Sequence, residues 1–168
     1  MQENKLKNLR KKIIEDVYIK KWKEVWFYPK HNGVRGWLGT KNIMFVGLNP
    51  SYGIFPSKYT DFFYEQLREC GFGNAHLTDL IKTKVKNRNI KQAIESDFNE
   101  QKKYLDKEIE ILAPKIIVVM GGQTQKMWFN EKDDRFVKMT HYSAIRFPKN
   151  KNKFKREMRY ILKIYKTR

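Results

Sequence analysis

The sequence predicts an α/β fold, a three-layer αβα sandwich around a central four-stranded parallel sheet. Short, largely apolar runs, typical of strands buried on both faces, alternate along the chain with longer segments of helical character. Two of these runs end in glycine, which stops a strand and opens a turn. Because strands that alternate with helices favour βαβ units, we expect the strands to be parallel and covered by helices.

Five segments are predicted to be helical. The first has apolar residues at Leu6, Leu9 and Ile13, spaced three or four positions apart. The second ends before Gly71, and the third stops before Pro114. The expected helices are 4–25, 61–70, 94–112, 123–129 and 151–165.

Four apolar runs are predicted to be strands. The third of them, 116–120, is the richest in β-branched residues, which favour strands. A loop with three glycines and a proline, 28–41, precedes the first strand, and a basic, Asn-rich loop, 82–91, follows the second. The expected strands are 43–46, 75–80, 116–120 and 136–139.

At 168 residues the chain has the size of one domain with a sizeable core. We divide it into an N-terminal helix and loop (1–41), a motif-bearing core (42–147) and a basic C-terminal helix (148–168). Its only cysteine, Cys70, is expected to be a small core residue. A single cysteine forms no intrachain disulfide and cannot hold a four-cysteine iron–sulfur cluster, and we expect neither a metal nor another cofactor.

The net charge of +18, from 36 Lys and Arg against 18 Asp and Glu, indicates a polyanionic partner, and nucleic acid is the first candidate. A lysine-rich composition without a specific partner is the alternative. Binding to a membrane surface is less favoured, because no long basic amphipathic helix ends in a lipid anchor. With no apolar run of membrane-spanning length and no signal peptide, we expect a cytoplasmic protein, and we expect a monomer.

A polar residue follows the first predicted strand, where open α/β sheets bind their ligands. The strand 43–46 continues into Gly47-Leu48-Asn49-Pro50-Ser51, so Asn49 lies at the carboxyl end of the strand. An ordinary turn is the alternative, because Asn and Pro are common in turns for backbone reasons. His141-Tyr142-Ser143 follows the fourth predicted strand and offers an imidazole at the same edge of the sheet.

Four segments in this order resemble the motifs of the uracil-DNA glycosylase superfamily. The first, 47–51, is similar to the Gly-x-Asn-Pro form of the mismatch-specific and single-strand-selective branches. The second, 77–82, is similar to a Thr-Asn-x-x-Lys strand that reads the base, and the third, 114–122, to a strand with its glycine turn. The fourth, 141–143, is similar to His-Pro-Ser with Tyr142 in place of proline. The resemblance covers about 42–147. It implies the fold and activity of a DNA glycosylase, without the iron–sulfur cluster that some branches carry.

The resemblance implies catalytic roles for Asn49 and His141. The amide oxygen of Asn49 would position the attacking water, and because it is a poorer base than a carboxylate the enzyme should be slow. His141 would donate to the departing base, for which a neutral imidazole with its proton on the correct nitrogen suffices. A lone histidine is more often structural, and that is our interpretation of His76.

The residues expected to contact the base are Phe55, Asp79, Gly47 and Leu48. Phe55 would stack on the base, with Tyr52 and Tyr59 as alternatives. Asp79 stands where the family usually has Asn. An ionised Asp79 only accepts hydrogen bonds, so it would repel the uracil carbonyl beside the ring N–H and would suit an exocyclic amine better. A protonated Asp79 would imitate Asn if burial raised its pKa substantially.

Seven further residues are expected to contact DNA. The two serines and the backbone N–H groups after the paired glycines would bind phosphate, and the lysine and arginine would add positive charge there. The isoleucine lies four residues after His141, where the family places an apolar wedge that fills the space left by the flipped base. These residues are Ser51, Lys82, Gly121, Gly122, Ser143, Ile145 and Arg146.

The sequence therefore predicts a monofunctional DNA glycosylase that removes a deaminated base, uracil or a related one, and leaves an abasic site. The pair Asn49 and His141 favours the enzyme. Asp79 and Tyr142, which depart from the family pattern, favour two alternatives. One is a noncatalytic nucleic-acid-binding relative of the same fold. The other is an enzyme of free nucleosides or nucleotides, which has little use for a charge of +18.

Overall fold

The structure of the protein, a computed structural model, describes residues 1–19, 24–51, 53–84 and 90–168. In this part of the chain a parallel sheet is formed by β1 (Ile43–Gly47), β2 (His76–Asp79), β3 (Ile116–Met120) and β4 (Phe136–Met139). The strands lie in the order β2-β1-β3-β4, and every neighbouring pair is parallel. The predicted fold with its four-stranded parallel sheet is confirmed.

Helices cover both faces of the sheet. Because alternate residues of a strand point to opposite faces, Ile43 and Phe45 join one hydrophobic core, and Met44 and Val46 join the other. The first core includes residues of α1, α2 and α5, and the second includes residues of α3 and α4. The helices are α1 (Gln2–Ile19), α2 (Lys58–Glu69), α3 (Ile90–Leu112), α4 (Gly122–Trp128) and α5 (Pro148–Thr167).

Two helices begin three residues earlier than the sequence predicts. α2 begins at Lys58 because Ser57 caps it: the Ser57 side chain accepts from the Thr60 N–H, and the Thr60 side chain accepts from the Ser57 N–H. α5 begins at Pro148, since the fixed backbone angle of proline suits the first turn of a helix. A capping box sets the first start and a proline in the first turn the second, and the apolar spacing reveals neither.

The chain after the N-terminal helix departs from the prediction. Val25 was expected to be helical, but it forms an antiparallel bridge with Thr83, and the Trp26 N–H donates to the Lys82 backbone oxygen over 2.9 Å. Local helical spacing is overridden here by pairing with a segment far along the chain. The pairing fixes residues 24–28 beside the end of β2.

Three predictions concern, in whole or in part, residues outside the described ranges: residues 20–23 of the first predicted helix, Tyr52 as a stacking aromatic, and residues 85–89 of the basic loop. Within those ranges, no helix is both long enough and apolar enough to cross a membrane.

Candidate active site

A cavity of about 330 Å³ opens where the strands end. Its lining includes Asn49, which follows β1, Asp79, the last residue of β2, and His141, which follows β4. Parallel strands bring their carboxyl ends to one edge of a sheet, so residues that are distant in sequence meet there. Three of the residues that the sequence singles out therefore face one cavity.

Asn49 is half-buried in the wall of this cavity. Its amide nitrogen donates to the backbone oxygen of Pro50 over 3.2 Å. The amide oxygen is the atom that Asn49 can offer as an acceptor. An amide oxygen accepts from water but is very weakly basic, so it can orient a water molecule and cannot deprotonate it.

The imidazole of His141 is held in one tautomer. Its Nδ1 lies 3.2 Å from the backbone nitrogen of Ser143, which donates to it, and 2.8 Å from the Ser143 hydroxyl oxygen. Since Nδ1 accepts, the proton of the neutral ring is on Nε2. Burial lowers the pKa of His141 to about 4, so the ring is neutral at physiological pH and has one N–H to donate.

Gly121 makes room for this histidine. Its φ is 89°, in the region that glycine adopts readily, and a Cβ there would lie 3.1 Å from the Cβ of His141. A side chain at Gly121 would therefore push against His141 as well as strain the backbone. The turn after β3 therefore positions the imidazole. The binding of phosphate by the backbone N–H groups of this turn stays a prediction.

Asp79 is 4% exposed, and its environment favours the neutral acid. Burial raises its pKa to about 7, against the opposing effect of Lys82 and with a contribution from Glu108. A Cβ on Gly47 would lie 2.4 Å from Asp79 Oδ1, so the carboxyl lies directly over this glycine. Gly47 thus serves the site by the space that it leaves.

Aromatic rings form much of the remaining wall. Phe55 lines the cavity, as does Tyr59, and the Phe55 ring packs edge-on against His31 with 5.2 Å between ring centroids. Trp26 and Tyr28 also line it, and sequence reasoning missed both of them. Their spacing of two residues, with Phe27 between them packed toward the core, is a strand signal that the nearby glycines obscured.

Tyr142, which stands in place of the expected proline, joins the cavity to the core. Its ring stacks on Phe63 with centroids 4.9 Å apart and an angle of 11° between the planes. Its hydroxyl lies 3.3 Å from that of Tyr28. The substitution therefore adds a hydroxyl group to the cavity wall and buries an aromatic face beneath His141.

A family model for the uracil DNA glycosylase superfamily matches residues 37–163 of the chain. The chain belongs to this superfamily. No functionally curated protein matches it. The matched range contains the three strand-end residues of the cavity, whereas Trp26 and Tyr28 lie before it.

Lys82 was expected to contact phosphate, since it belongs to the segment that resembles the superfamily's base-reading strand. In the structure it is buried and takes another role. It is 1% exposed, and its Nζ lies 2.8 Å from Glu108 Oε1 and donates to the Thr78 hydroxyl and the Asp79 backbone oxygen. A buried ammonium with these partners is unavailable to DNA. The prediction for Lys82 is wrong because α3, which carries Glu108, covers it. His76, interpreted as structural, is fully buried and bonded to the same carboxylate.

Leu48 does not line the cavity either. Its side chain packs against the core on the α3 side of the sheet, while its backbone oxygen accepts from the Ile81 N–H over 3.0 Å. In this chain Leu48 therefore anchors the strand end, and its expected contact with a base stays a prediction.

Two of the residues expected to bind DNA, Ser51 and Ser143, line the first cavity. Ser51 and Arg146 are exposed, and Ser143 is exposed while also holding His141. Gly121 and Gly122 line a second cavity of about 400 Å³, which also includes Lys138 and Lys153.

The expected wedge residue, Ile145, is half-buried and packs against the first core. Ile54, which sequence reasoning did not single out, lines the first cavity and is 87% exposed. In the described part of the chain, no three His, Cys, Asp or Glu side chains are grouped so as to hold a metal ion.

Proposed function

We propose that the protein is a monofunctional DNA glycosylase that hydrolyses the N-glycosidic bond of a deaminated base, uracil or a related one. The observation that carries this proposal is the cavity in which Asn49, Asp79 and His141 meet. Membership of the uracil DNA glycosylase superfamily supports the reaction class. The substrate and the roles of the residues are our inference from the geometry.

The reaction needs a base that has left the stack, because its glycosidic bond cannot be reached inside a duplex. As the bond from the sugar to the base nitrogen breaks, the sugar gains positive character and the base takes the bonding electrons. Asn49 orients a water that attacks the anomeric carbon and then loses a proton to solvent. The Nε2–H of His141 donates a hydrogen bond to the base oxygen on which negative charge builds.

The neutral form of Asp79 suits a deaminated base. Its O–H donates to a carbonyl and its other oxygen accepts from the neighbouring ring N–H, which reproduces the pattern of an asparagine amide. The ring of Phe55 offers a stacking surface, and stacking of a base on an aromatic ring contributes about 1–3 kcal/mol. The pocket thus meets both the polar edge and the apolar face of a base.

The surface charge supports DNA as the partner. α5 carries eight Lys and Arg against one Glu, and the whole chain has a net charge of +18. Cations that neutralise phosphates release counterions, so the affinity falls steeply as salt is added.

We therefore expect DNA binding to weaken with salt at a log–log slope of about −4 or steeper, as for five or more phosphate contacts. Fluorescence anisotropy of a labelled oligonucleotide between low and physiological salt measures it. Replacing Lys151 and Lys155 on α5 by alanine should reduce the slope by about 1 to 2. Replacing Lys107, which is paired with Glu110 on α3, serves as the matched control. A flat salt dependence would exclude nucleic acid as the partner.

The proposed activity is tested with labelled oligonucleotides that carry uracil, hypoxanthine or xanthine, each single-stranded and double-stranded, and scored for abasic sites. We expect excision of at least one of these bases. The strand should be cleaved at the abasic site only after alkali is added, and not by the protein itself. Tight DNA binding with no excision from the whole panel would favour a noncatalytic relative. Release of base from free nucleosides only would favour the nucleoside enzyme.

A further inference from the structure

A neutral carboxyl differs from an amide in a way that matters for base recognition. Its proton can be on either oxygen, so the order of donor and acceptor is not fixed, whereas the amide of asparagine has a fixed order. Uracil presents a carbonyl beside an N–H, and cytosine presents an amine beside a ring nitrogen that accepts. A carboxyl that is free to move its proton pairs with either edge and so discriminates poorly between the two bases.

The surroundings of Asp79 distinguish its two oxygens. The Tyr28 hydroxyl lies 3.5 Å from Asp79 Oδ1 and donates to it, and the same oxygen lies over Gly47. The Tyr28 hydroxyl also lies 3.3 Å from the Tyr142 hydroxyl, and either group can donate in that contact. A tyrosine hydroxyl has one proton, so Tyr28 donates to Asp79 when Tyr142 is the donor to Tyr28. An oxygen that accepts from Tyr28 is the carbonyl oxygen of the neutral acid, and the proton is then on Oδ2.

Tyr28 is itself held firmly. It is 4% exposed, its backbone oxygen accepts from the Trp37 N–H over 2.9 Å, and its ring packs edge-on against Trp26 with centroids 4.8 Å apart. The 3.5 Å contact with Asp79 is long, as hydrogen bonds in sites without substrate often are. Packing therefore restricts the position of the hydroxyl, which lies at the long end of the hydrogen-bond range from Asp79.

We propose that Tyr28 is a positioning residue that fixes the donor–acceptor order of Asp79 and so sets which base edge Asp79 reads; for the proposed substrate, a deaminated base, this is the lactam edge, an N–H beside a carbonyl. The proposal rests on the proposed glycosylase function and goes beyond it. Tyr28 lies before residues 37–163, the part of the chain that the superfamily model matches.

Other titratable groups bear on the same carboxyl. Lys82, which donates to the Asp79 backbone oxygen, favours the ionised form, and Glu108 on α3 disfavours it. Tyr64 on α2 and Tyr142 stay neutral, because burial raises the pKa of each. Of these neighbours, Tyr28 is the one whose hydroxyl donates to the carboxyl of Asp79, so its removal affects that group most directly.

The direct test is a ¹³C NMR titration of the Asp79 side chain, which requires no activity. Tyr28→Phe keeps the ring and removes the donor to the carboxylate, so the titration midpoint should rise by about half a pH unit. Tyr142→Phe is the matched control, because it removes a hydroxyl from the same cavity and leaves the donor to Asp79 in place. An unchanged midpoint in Tyr28→Phe, or the same rise in both variants, would overturn the proposal.

The second readout is discrimination between bases. At pH 6, Tyr28→Phe should lower the ratio of uracil to cytosine excision by about tenfold, because the proton of Asp79 is no longer directed to Oδ2. In the Asp79→Asn background the same substitution should leave the ratio unchanged, since the amide has a fixed order. A changed ratio there, or none in the parent background, contradicts the inference. If the parent excises no base at all, the proposed function fails, and the NMR titration still decides the role of Tyr28.

Discussion

Replacing Asn49 or His141 by alanine should lower the single-turnover rate of base excision by roughly 10²-fold or more. Asn49→Ala removes the amide oxygen that we propose orients the water. His141→Ala removes the Nε2–H, which the contacts of Nδ1 with Ser143 reserve for donation. Both interactions strengthen as charge develops, so the rate should fall while the affinity for DNA changes little. Excision and anisotropy measurements on the same oligonucleotide separate the two effects.

Asn130→Ala is the matched control for these variants. Asn130 lies in the connection before β4, where its side-chain oxygen accepts from the Lys132 N–H, and it does not line the cavity. Its replacement should leave excision at the parent rate. Parent-level excision by both Asn49→Ala and His141→Ala would mean that the chemistry takes place with other residues, and the assignment of the site would be wrong.

Asp79→Asn should raise the excision of uracil above the parent rate, and the difference should grow with pH. The parent can donate to the uracil carbonyl only while Asp79 is protonated. Burial raises the pKa of Asp79 to about 7. Below pH 7 the parent is mostly in the competent form. Above pH 7 its rate should fall about tenfold for each pH unit, whereas the amide of Asp79→Asn does not titrate. At pH 8 the variant should therefore be about tenfold faster.

Single-turnover excision of uracil between pH 5.5 and 8.5 measures this difference. The range covers about three pH units around the titration of Asp79. His141, whose pKa is lowered to about 4, stays neutral throughout and does not contribute to the profile. Asp106→Asn, at an exposed carboxylate on α3, is the control and should follow the parent. If Asp79→Asn is slower on uracil at every pH, Asp79 does not read the base, and a role in holding the end of β2 would explain it better.

The sequence by itself determined the sheet and three of the residues at its edge. The apolar runs of β1 and β3 are local patterns, and glycine and proline mark where they end, so the position of Asn49 at a strand end could be predicted. The same holds for Asp79, at the end of the second predicted strand, and for His141, which follows the fourth. The strand order, which the structure supplies, then brings the three strand ends together. That the three residues perform catalysis or recognition stays a prediction.

Only the tertiary structure decided the environment of these side chains. Lys82 looks like a phosphate ligand in the sequence, but Glu108 of α3 pairs with it inside the protein. Tyr28 reaches Asp79 because the preceding residues pair with the chain beyond β2. Burial and pKa depend on groups that are distant in sequence, and these groups meet only when the helices and the sheet pack together. The charge state of Asp79, on which the proposed choice of base depends, is therefore a property of packing that no local pattern contains.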